Sequence, residues 1–530
     1  MKSHYHKEYL KSIFPCIGFG ILCGGLTGAA IFLFRLAAKE AEAISRFLYG
    51  MARLSLAGIL ITFAVLLVSA CAMALLHRKI PEVAGGGIPR SEGILRGVLT
   101  FRWLKTLLGT FFGSMLSFLC GLPLGSEGPS VLIGTSIGRF FSSFFKKQVP
   151  WERYVMTGGA GAGFAIATGA PLSGILFALE EVHKRFTPLL IVTASLSTLS
   201  ATLVNYLLCA ATGISPVLFE IPRLSSFALA DTGYLLLFSV LISASVTVFD
   251  GLVYLYNRTV KKAPEILSPT VKLIIIFLFA GVLALFLAEG TYSGHDVIEN
   301  LLLPREGIWM LLALLVIRLC MMLFSASSGA TGGLFIPSLA IGALCSALFA
   351  RLLVAMGMSA QLYTVTMLLG MCAFLGGTLR APLTATVFFL ELTGQFTDLF
   401  FVALIVFIVA TANDLVNLMP FYDRVIKRME GQQNEGKEPR IACFEMKVSH
   451  DAFVIGKSVR DVMWPASSVV IGITRAKETN EDMDHDGEKQ LFSEDTLILR
   501  ARFYDEGELK NQLYSLVGRD YEIKETVIKK

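Results

Sequence analysis

Apolar runs of membrane-span length recur along this sequence and constrain its fold more than any other feature. Clear examples are Cys16–Phe34, Leu56–Leu76, Leu189–Ala211, Leu235–Tyr256, Val271–Leu287 and Leu399–Val416. A helix needs about 20 apolar residues to cross a bilayer, and inside it every backbone polar group must be paired. Only 16% of the 530 residues are charged, against about 25% in soluble domains. The sequence therefore predicts an all-α polytopic membrane protein.

One acid lies inside an apolar part of the chain, in the stretch Gly125-Ser126-Glu127-Gly128-Pro129. A charge at bilayer depth costs at least about 2.5–3.5 kcal/mol, so such a residue is a candidate functional group. Glycine and proline here end one helix and start another, because proline is well tolerated at a first helical turn. A helix start carries unpaired N–H groups and a positive dipole end. The stretch therefore predicts a site that binds an anion and moves a proton.

Two further glycine-rich breaks also end in proline. They are Gly85-Gly86-Gly87-Ile88-Pro89 and Gly332-Gly333-Leu334-Phe335-Ile336-Pro337. Glycine lets backbone N–H groups approach a bare ion closely. A single glycine run in a membrane helix is usually a packing notch, but three breaks of this form favour an ion site.

The membrane region contains an internal repeat. Gly128-Pro129-Ser130 aligns with Ile336-Pro337-Ser338 at an offset of 208 residues, and Ala170-Pro171-Leu172 aligns with Ala381-Pro382-Leu383 at an offset of 211. Transporters built from repeats place their substrate where such broken helices meet near the bilayer midplane. The alignment leaves open whether the second copy is inverted.

Composition changes along the chain define the expected domains. We expect a cytoplasmic arm at residues 1–13, a transmembrane transport domain at 14–430, a linker at 431–440 and a cytoplasmic α+β domain at 441–530. In the last domain, Ser468–Thr474 and Thr496–Phe503 are predicted strands on either side of an acidic loop at 477–489. Basic residues at both ends of the membrane region place both termini in the cytoplasm.

Other classes of function find little support in the sequence. The net charge of +5 is too diffuse for nucleic-acid binding. The nine cysteines lie mostly in apolar runs without zinc-ligand spacing, and they are expected to be buried small side chains. An enzyme or receptor that acts through the C-terminal region would need a nucleophile–base pair or a metal motif, and neither is present. No catalytic residue, metal or cofactor is therefore predicted.

In combination, these motifs resemble the CLC family of chloride channels and proton-coupled chloride transporters. The similarity covers residues 15–430. The family's three motifs correspond to Gly85–Pro89, Gly125–Pro129 and Gly333–Pro337, and its pore tyrosine corresponds to Tyr422. The resemblance implies a homodimer in the inner (cell) membrane, with one pore per subunit built from two inverted halves.

The resemblance also implies roles for single residues. Backbone N–H groups of Leu334 and Phe335 and the hydroxyl of Tyr422 would hold chloride. Glu127 resembles the gating glutamate, which blocks the anion path when ionised and admits chloride when protonated. Glu181 matches a cytoplasmic glutamate of the proton-coupled members, and this favours chloride/proton exchange over a passive channel. The neighbouring Glu180 is expected at a helix end, paired with basic residues at the surface.

Departures from the family pattern leave selectivity open. Gly86 replaces the serine that donates a hydroxyl to the anion, and Ser126 replaces a basic residue before the gating glutamate. A fluoride- or nitrate-preferring antiporter is therefore an alternative, although Glu181 favours chloride. The C-terminal domain is similar to the regulatory subdomain of bacterial potassium-uptake regulators. That resemblance implies a dimerising domain that binds an unknown small ligand.

Overall fold

The computed structural model describes residues 2–145, 149–216, 219–262, 268–416, 419–475 and 487–526. For residues 2–12, 260–262 and 288, only the backbone is described. Most of the acidic loop expected at 477–489 lies outside these ranges, as do the side chains of the N-terminal basic residues.

Helices form most of the chain, which confirms the predicted fold class. The first half contains α1 Lys2–Leu54, α2 Leu56–Lys79, α3 Gly87–Leu95, α4 Trp103–Leu119, α5 Glu127–Ser143, α6 Glu152–Thr168, α7 Pro171–Phe177 and α8 Pro188–Thr212. The second half contains α9 Thr232–Lys262, α10 Pro269–Phe286, α11 His295–Leu301, α12 Ile308–Ser328, α13 Phe335–Ala355, α14 Tyr363–Leu379, α15 Pro382–Thr393, α16 Leu399–Leu415 and α17 Phe421–Gln433. Within the described ranges, nine helices are long and apolar enough to cross a membrane.

The N-terminal arm expected at residues 1–13 is helical in its described part. The backbone is helical from Lys2, so residues 2–13 form the start of α1, and Pro15 lies inside this helix. Polar residues do not stop a helix, and the segment offers no glycine–proline break of the kind that ends the other membrane helices. At about 1.5 Å per residue, α1 is much longer than the hydrocarbon core is thick.

Helices of the two halves begin and end at matching positions. α5 and α13 start at Glu127 and Phe335, and α7 and α15 start at Pro171 and Pro382. α6 and α14 each end at a left-handed residue, Gly169 and Arg380, immediately before the Ala-Pro pair that opens the next helix. The break signals of the sequence therefore set the helix boundaries in both copies.

The second copy is inverted relative to the first. After α7 the chain continues in a π-helical turn, Ala178–His183. The Glu180 carboxylate in this turn accepts hydrogen bonds from the N–H groups of Leu383 and Thr384 at 2.9 and 2.7 Å, at the start of α15. Glu391 near the end of α15 accepts from the N–H groups at the start of α7 at 2.7 and 2.8 Å. Each helix end thus meets the other helix's start, so the pair is antiparallel.

This arrangement corrects the expectation for Glu180. Its carboxylate caps α15 from the other half of the chain, and the Thr384 hydroxyl adds a third hydrogen bond at 2.7 Å. An anionic side chain is stabilised at a helix N-terminus by unpaired N–H groups and the dipole. That partner is stronger than an exposed basic side chain, which explains the difference.

The C-terminal region forms a four-stranded antiparallel sheet in the order β2–β3–β1–β4. The strands are β1 Arg440–Lys447, β2 Ser468–Thr474, β3 Thr496–Phe503 and β4 Lys524–Thr526, and α18 Glu506–Val517 follows β3. Both predicted strands are confirmed. In β3, Leu497, Leu499 and Ala501 alternate as buried residues with more exposed neighbours, because successive side chains of a strand point to opposite faces.

Candidate functional site

Four helices begin at, or one residue before, residues that the sequence analysis assigns to the site. α3 starts at Gly87, α5 at Glu127, α13 at Phe335 and α17 at Phe421. The residue before each start makes no side-chain capping hydrogen bond. The first N–H groups of a helix have no partner within the helix, and uncapped helix starts are therefore ready donors for an anion.

Glycine allows three of these helix starts to touch. A Cβ on Gly87 would lie 2.1 Å from the carbonyl oxygen of Gly128, and a Cβ on Gly128 would lie 2.7 Å from Cα of Gly333. Gly125 and Gly333 pair directly: each N–H donates to the other's carbonyl oxygen at 2.8 Å. Because no side chain separates these backbones, the starts of α3, α5 and α13 converge on one small volume.

Glu127 lies in this volume and is 2% exposed. Its Oε1 accepts a hydrogen bond from the Ser126 hydroxyl at 3.1 Å. Its Oε2 is buried and has no hydrogen-bond partner within the described part of the chain. A Cβ on Gly125 would lie 2.3 Å from Oε2, so the carboxylate lies against the backbone just ahead of its own helix. An acid thus lies beside the helix starts at which an anion would bind.

The other expected anion ligands are also buried here. Leu334, Phe335 and Tyr422 are 5%, 1% and 3% exposed. The Phe335 ring packs edge-on against Phe164, with ring centroids 5.0 Å apart. The Tyr422 hydroxyl lies near enough to Glu127 and Glu181 to interact with the charge of each carboxyl group when that group is ionised. The structure therefore brings the predicted anion ligands and both predicted acids into one region.

Gly86 has room for a larger side chain. Its φ angle of −77° is ordinary for any residue. A Cβ would meet no atom closer than Pro89 Cδ, at 3.5 Å. The glycine found here in place of the family's serine is therefore not required by packing.

Glu181 lies in the π-helical turn after α7 and is 1% exposed. Neither of its carboxylate oxygens has a hydrogen-bond partner in the described residues. Glu92 of α3 is 0% exposed, and its charge interacts with that of Glu181. The two acids belong to different helices and share one buried environment.

Charged residues connect these two acids to the protein surface. Arg96 hydrogen-bonds Glu92 and lies 2.7 Å from Asp423 of α17. Lys184 lies 3.1 Å from Asp423 and 3.9 Å from Glu92. Burial opposes ionisation of Asp423, but hydrogen bonds from Arg96 and Lys184 hold its pKa below the usual value. Roles for Glu92, Arg96, Lys184 and Asp423 were not predicted from the sequence, although the acid three residues after the Gly85–Pro89 break was a visible signal.

Two lone charged residues have structural roles. Arg318 of α12 donates to the carbonyl oxygens of Glu289 and Thr291 at 2.9 Å each and holds the loop after α10. Asp414 pairs with Arg380 at 2.7 Å at the end of α14. Among the described residues, no group of three His, Cys, Asp or Glu side chains is placed to hold a metal ion.

Comparison with known families decides the class of the protein. The sequence model of the family described as voltage gated chloride channel matches residues 68–414. The chain belongs to this family. The H(+)/Cl(−) exchange transporter ClcA of Vibrio cholerae is 32% identical over 341 residues, which cover 61% of this chain and 69% of the relative. The ClcA of Vibrio vulnificus is 31% identical over 352 residues, covering 64% and 73%.

Solved structures of the family share the fold. The structure of a slow cyanobacterial Cl−/H+ antiporter superposes with a TM-score of 0.72 at 25% identity, covering 79% of this chain and 99% of that one. A CLC-type fluoride/proton antiporter superposes with a TM-score of 0.59 at 20% identity, covering 76% and 94%. The family match ends before Tyr422 and the C-terminal sheet.

Proposed function

We propose that the protein is a secondary transporter that exchanges chloride for protons across the membrane. The observation that carries this proposal is the place of Glu127, a buried acid at a helix start where two further helix starts converge. The Vibrio relatives named H(+)/Cl(−) exchange transporters support the same function. The similarity to a cyanobacterial Cl−/H+ antiporter also supports it.

Neutral donors form the anion site in this proposal. The N–H groups of Leu334 and Phe335, at the start of α13, and the Tyr422 hydroxyl, in the first turn of α17, would hold chloride. A halide must be held strongly enough to leave water and weakly enough to move on. Amide and hydroxyl dipoles meet this requirement better than a lysine or arginine would. The chloride is cargo, and no cofactor is needed.

Competition for one position couples the two fluxes. The Glu127 carboxyl group lies against the same helix starts that would receive an anion. A negative carboxylate and a chloride ion cannot occupy adjoining positions without strong repulsion. Protonation removes that charge and frees the side chain to move away. Entry of the anion therefore depends on protonation of Glu127.

Protons reach the site from the opposite side through Glu181. The exposed fraction of the charged side chains falls from 36% for Lys184 and 25% for Asp423 to 0% for Glu92. Among the described residues, these three carboxylates (Glu92, Glu181 and Asp423) interact with two cations, Arg96 and Lys184. This imbalance favours a shared proton among the acids. We assign the cluster as the cytoplasmic proton entry.

The oligomeric state, the membrane orientation and the role of the C-terminal domain are also proposed. The resemblance to the family supports a homodimer, and the positive-inside rule supports cytoplasmic termini of an inner-membrane protein. The C-terminal α+β domain is proposed to regulate transport by binding a small ligand. Light scattering from the detergent-solubilised protein tests the dimer, because a monomeric mass contradicts it.

Flux measurements in vesicles of phosphatidylethanolamine and phosphatidylglycerol test the exchange. An outward chloride gradient is expected to drive protons inward against their own gradient. Chloride flux without proton movement would identify a passive channel instead. Repeating the assay with fluoride, nitrate and bromide tests the anion selectivity. If fluoride or nitrate drives faster proton transport than chloride does, that anion and not chloride is the preferred substrate.

A further inference from the structure

The C-terminal domain contacts the membrane domain through residues 461–466, which we call the docking segment, and through Phe453, whose ring centroid lies 6.0 Å from that of Tyr154. Val462, Met463 and Trp464 of this segment are 0%, 5% and 7% exposed. The Trp464 indole donates to the Val459 carbonyl oxygen at 2.9 Å, which fixes the segment to its own domain. The segment is thus buried in a defined conformation.

Arg153 of α6 joins the docking segment to α3. Its Nη1 donates to the carbonyl oxygens of Met463 and Trp464 at 3.3 and 3.0 Å. On its other edge, Nε donates to the carbonyl oxygen of Leu95, the last residue of α3, at 2.8 Å. Tyr154 adds a hydrogen bond to the carbonyl oxygen of Asp461 at 3.2 Å. The planar guanidinium can hold both partners at once because its donors point in fixed directions.

The docking segment also contacts the turn that carries Glu181. The ring Nε2 of His183 lies 3.0 Å from Sδ of Met463, and His183 is 8% exposed. Arg185 donates to the carbonyl oxygen of Val462 at 3.4 Å. The backbone takes a left-handed conformation at Lys184, with φ of 52°, and this turn aims Arg185 at the segment. One segment of the C-terminal domain is therefore linked to α3 through Arg153 and contacts the π-helical turn directly through His183.

These two elements carry the groups that the exchange needs. α3 has Gly87 of the anion site at its start and Glu92 in its second half, and its nine residues span only about 14 Å. A short rigid helix transmits a displacement at one end to the other. The distance between Glu92 and Glu181 is consequently set where α3 and the turn are held together by Arg153 and the docking segment.

We propose that Arg153 is a positioning residue through which the C-terminal domain sets the coupling of protons to chloride. This inference rests on the proposed exchange function. When the docking segment is bound to the membrane domain, it holds the last turn of α3 close to the turn that carries Glu181. Glu92 and Glu181 then share a proton. When the docking segment is released, α3 and the Glu181 turn separate and proton entry slows. The anion ligands of α13 and α17 remain in place.

The variants Arg153→Ala and Arg153→Lys test this role, with Arg500→Ala as the matched control. Arg500 is an exposed arginine of β3 in the same C-terminal domain and lies outside the docking segment. Transport is read as protons moved per chloride. We expect the ratio to fall by about twofold or more in Arg153→Ala, with chloride flux retained. Arg153→Lys should recover the ratio only in part, because a lysine ammonium group keeps the charge but cannot bridge both partners as the guanidinium does. An unchanged ratio in folded Arg153→Ala overturns the proposal.

Amide hydrogen exchange supplies a readout that does not depend on transport. Arg153→Ala is expected to raise exchange in residues 93–99 and 461–466 together, whereas Arg500→Ala leaves both unchanged. Protection that stays at the wild-type level in both segments overturns the proposed link even if the protein proves to be a channel. Should Arg153→Ala fail to fold, Tyr154→Phe, which removes only the hydrogen bond to Asp461, is expected to give the same paired increase on a smaller scale.

Discussion

Gly125 and Gly333 exchange two backbone hydrogen bonds of 2.8 Å, and they occupy the same position in the two copies of the internal repeat. The axis that relates the inverted halves therefore passes between them. By the same offset, Glu127 corresponds to Phe335, so one half contributes an acid and the other an aromatic side chain. The pairing keeps both loops close while giving only one of them a titratable group.

Alanine substitutions at the neighbouring glycines Gly86 and Gly87 are predicted to differ sharply in their effect on stability. Gly87→Ala forces a Cβ to within 2.1 Å of the Gly128 carbonyl oxygen, and the backbone must shift. We expect a loss of about 1–3 kcal/mol in stability. Gly86→Ala meets nothing closer than 3.5 Å and should keep the wild-type melting temperature. Thermal unfolding in detergent measures both, and equal melting temperatures would contradict the described contact.

Restoring the family's serine at position 86 is predicted to strengthen anion binding. A hydroxyl donor beside a halide contributes about 1.5 kcal/mol, or roughly tenfold in affinity. Isothermal titration with chloride measures the change. Gly86→Ala adds the same Cβ without a donor and serves as the control. If the serine and alanine variants bind chloride equally, residue 86 does not face the anion.

The adjacent acids Glu180 and Glu181 are predicted to behave differently when each is changed to glutamine. Glu181→Gln should abolish proton transport and retain chloride flux, because its carboxyl carries the proton. Glu180→Gln should retain coupling and lower the melting temperature, since it weakens three hydrogen bonds at the start of α15. Vesicle flux and thermal unfolding of both variants separate the roles. If Glu180→Gln loses proton transport while Glu181→Gln retains it, Glu180 and not Glu181 carries the proton.

Local signals account for what the sequence could predict. Glycine and proline determine where α3, α5, α7, α13 and α15 begin, and these residues act on their own backbone. Span-length apolar runs likewise identify membrane helices without knowledge of their neighbours. Glu127, Leu334 and Phe335 lie at these breaks, and so they could be found from the sequence, whereas Glu181 and Tyr422 were predicted only from the resemblance to the family.

Contacts between distant segments could not be predicted in this way. Arg96 meets Asp423 across 327 residues, and Glu180 meets Leu383 across 203. Nothing in the immediate sequence of Glu180 distinguishes a helix cap in the other half from a surface ion pair. The contacts of the docking segment could not be predicted for the same reason, since its partners Arg153 and His183 lie some 280 to 311 residues earlier in the chain.

Burial of Lys457 predicts a pH dependence of stability. Lys457 is 5% exposed, and burial lowers its pKa from 10.5 to about 8, with Cys16 of α1 the facing titratable group. The unfolded chain therefore binds more protons between pH 8 and 10.5, and stability should rise with pH across that window, by roughly 3 kcal/mol at most.

Lys457→Met tests this pH dependence. The variant should flatten the rise in melting temperature above pH 8, because the buried ammonium is gone. Thermal unfolding at several pH values from 7 to 10 measures it, with the exposed Lys524 of β4 changed to Met as the control. A rise of equal slope in Lys457→Met and wild type would show that another group is responsible.

The central claim is that Glu127 links the anion to the proton, and Glu127→Gln tests it most directly. Glutamine has nearly the same shape as the protonated acid and cannot release a proton. With chloride and pH recorded together in the same vesicles, we predict that chloride flux continues and proton movement stops. Proton pumping that persists in this variant would contradict the account.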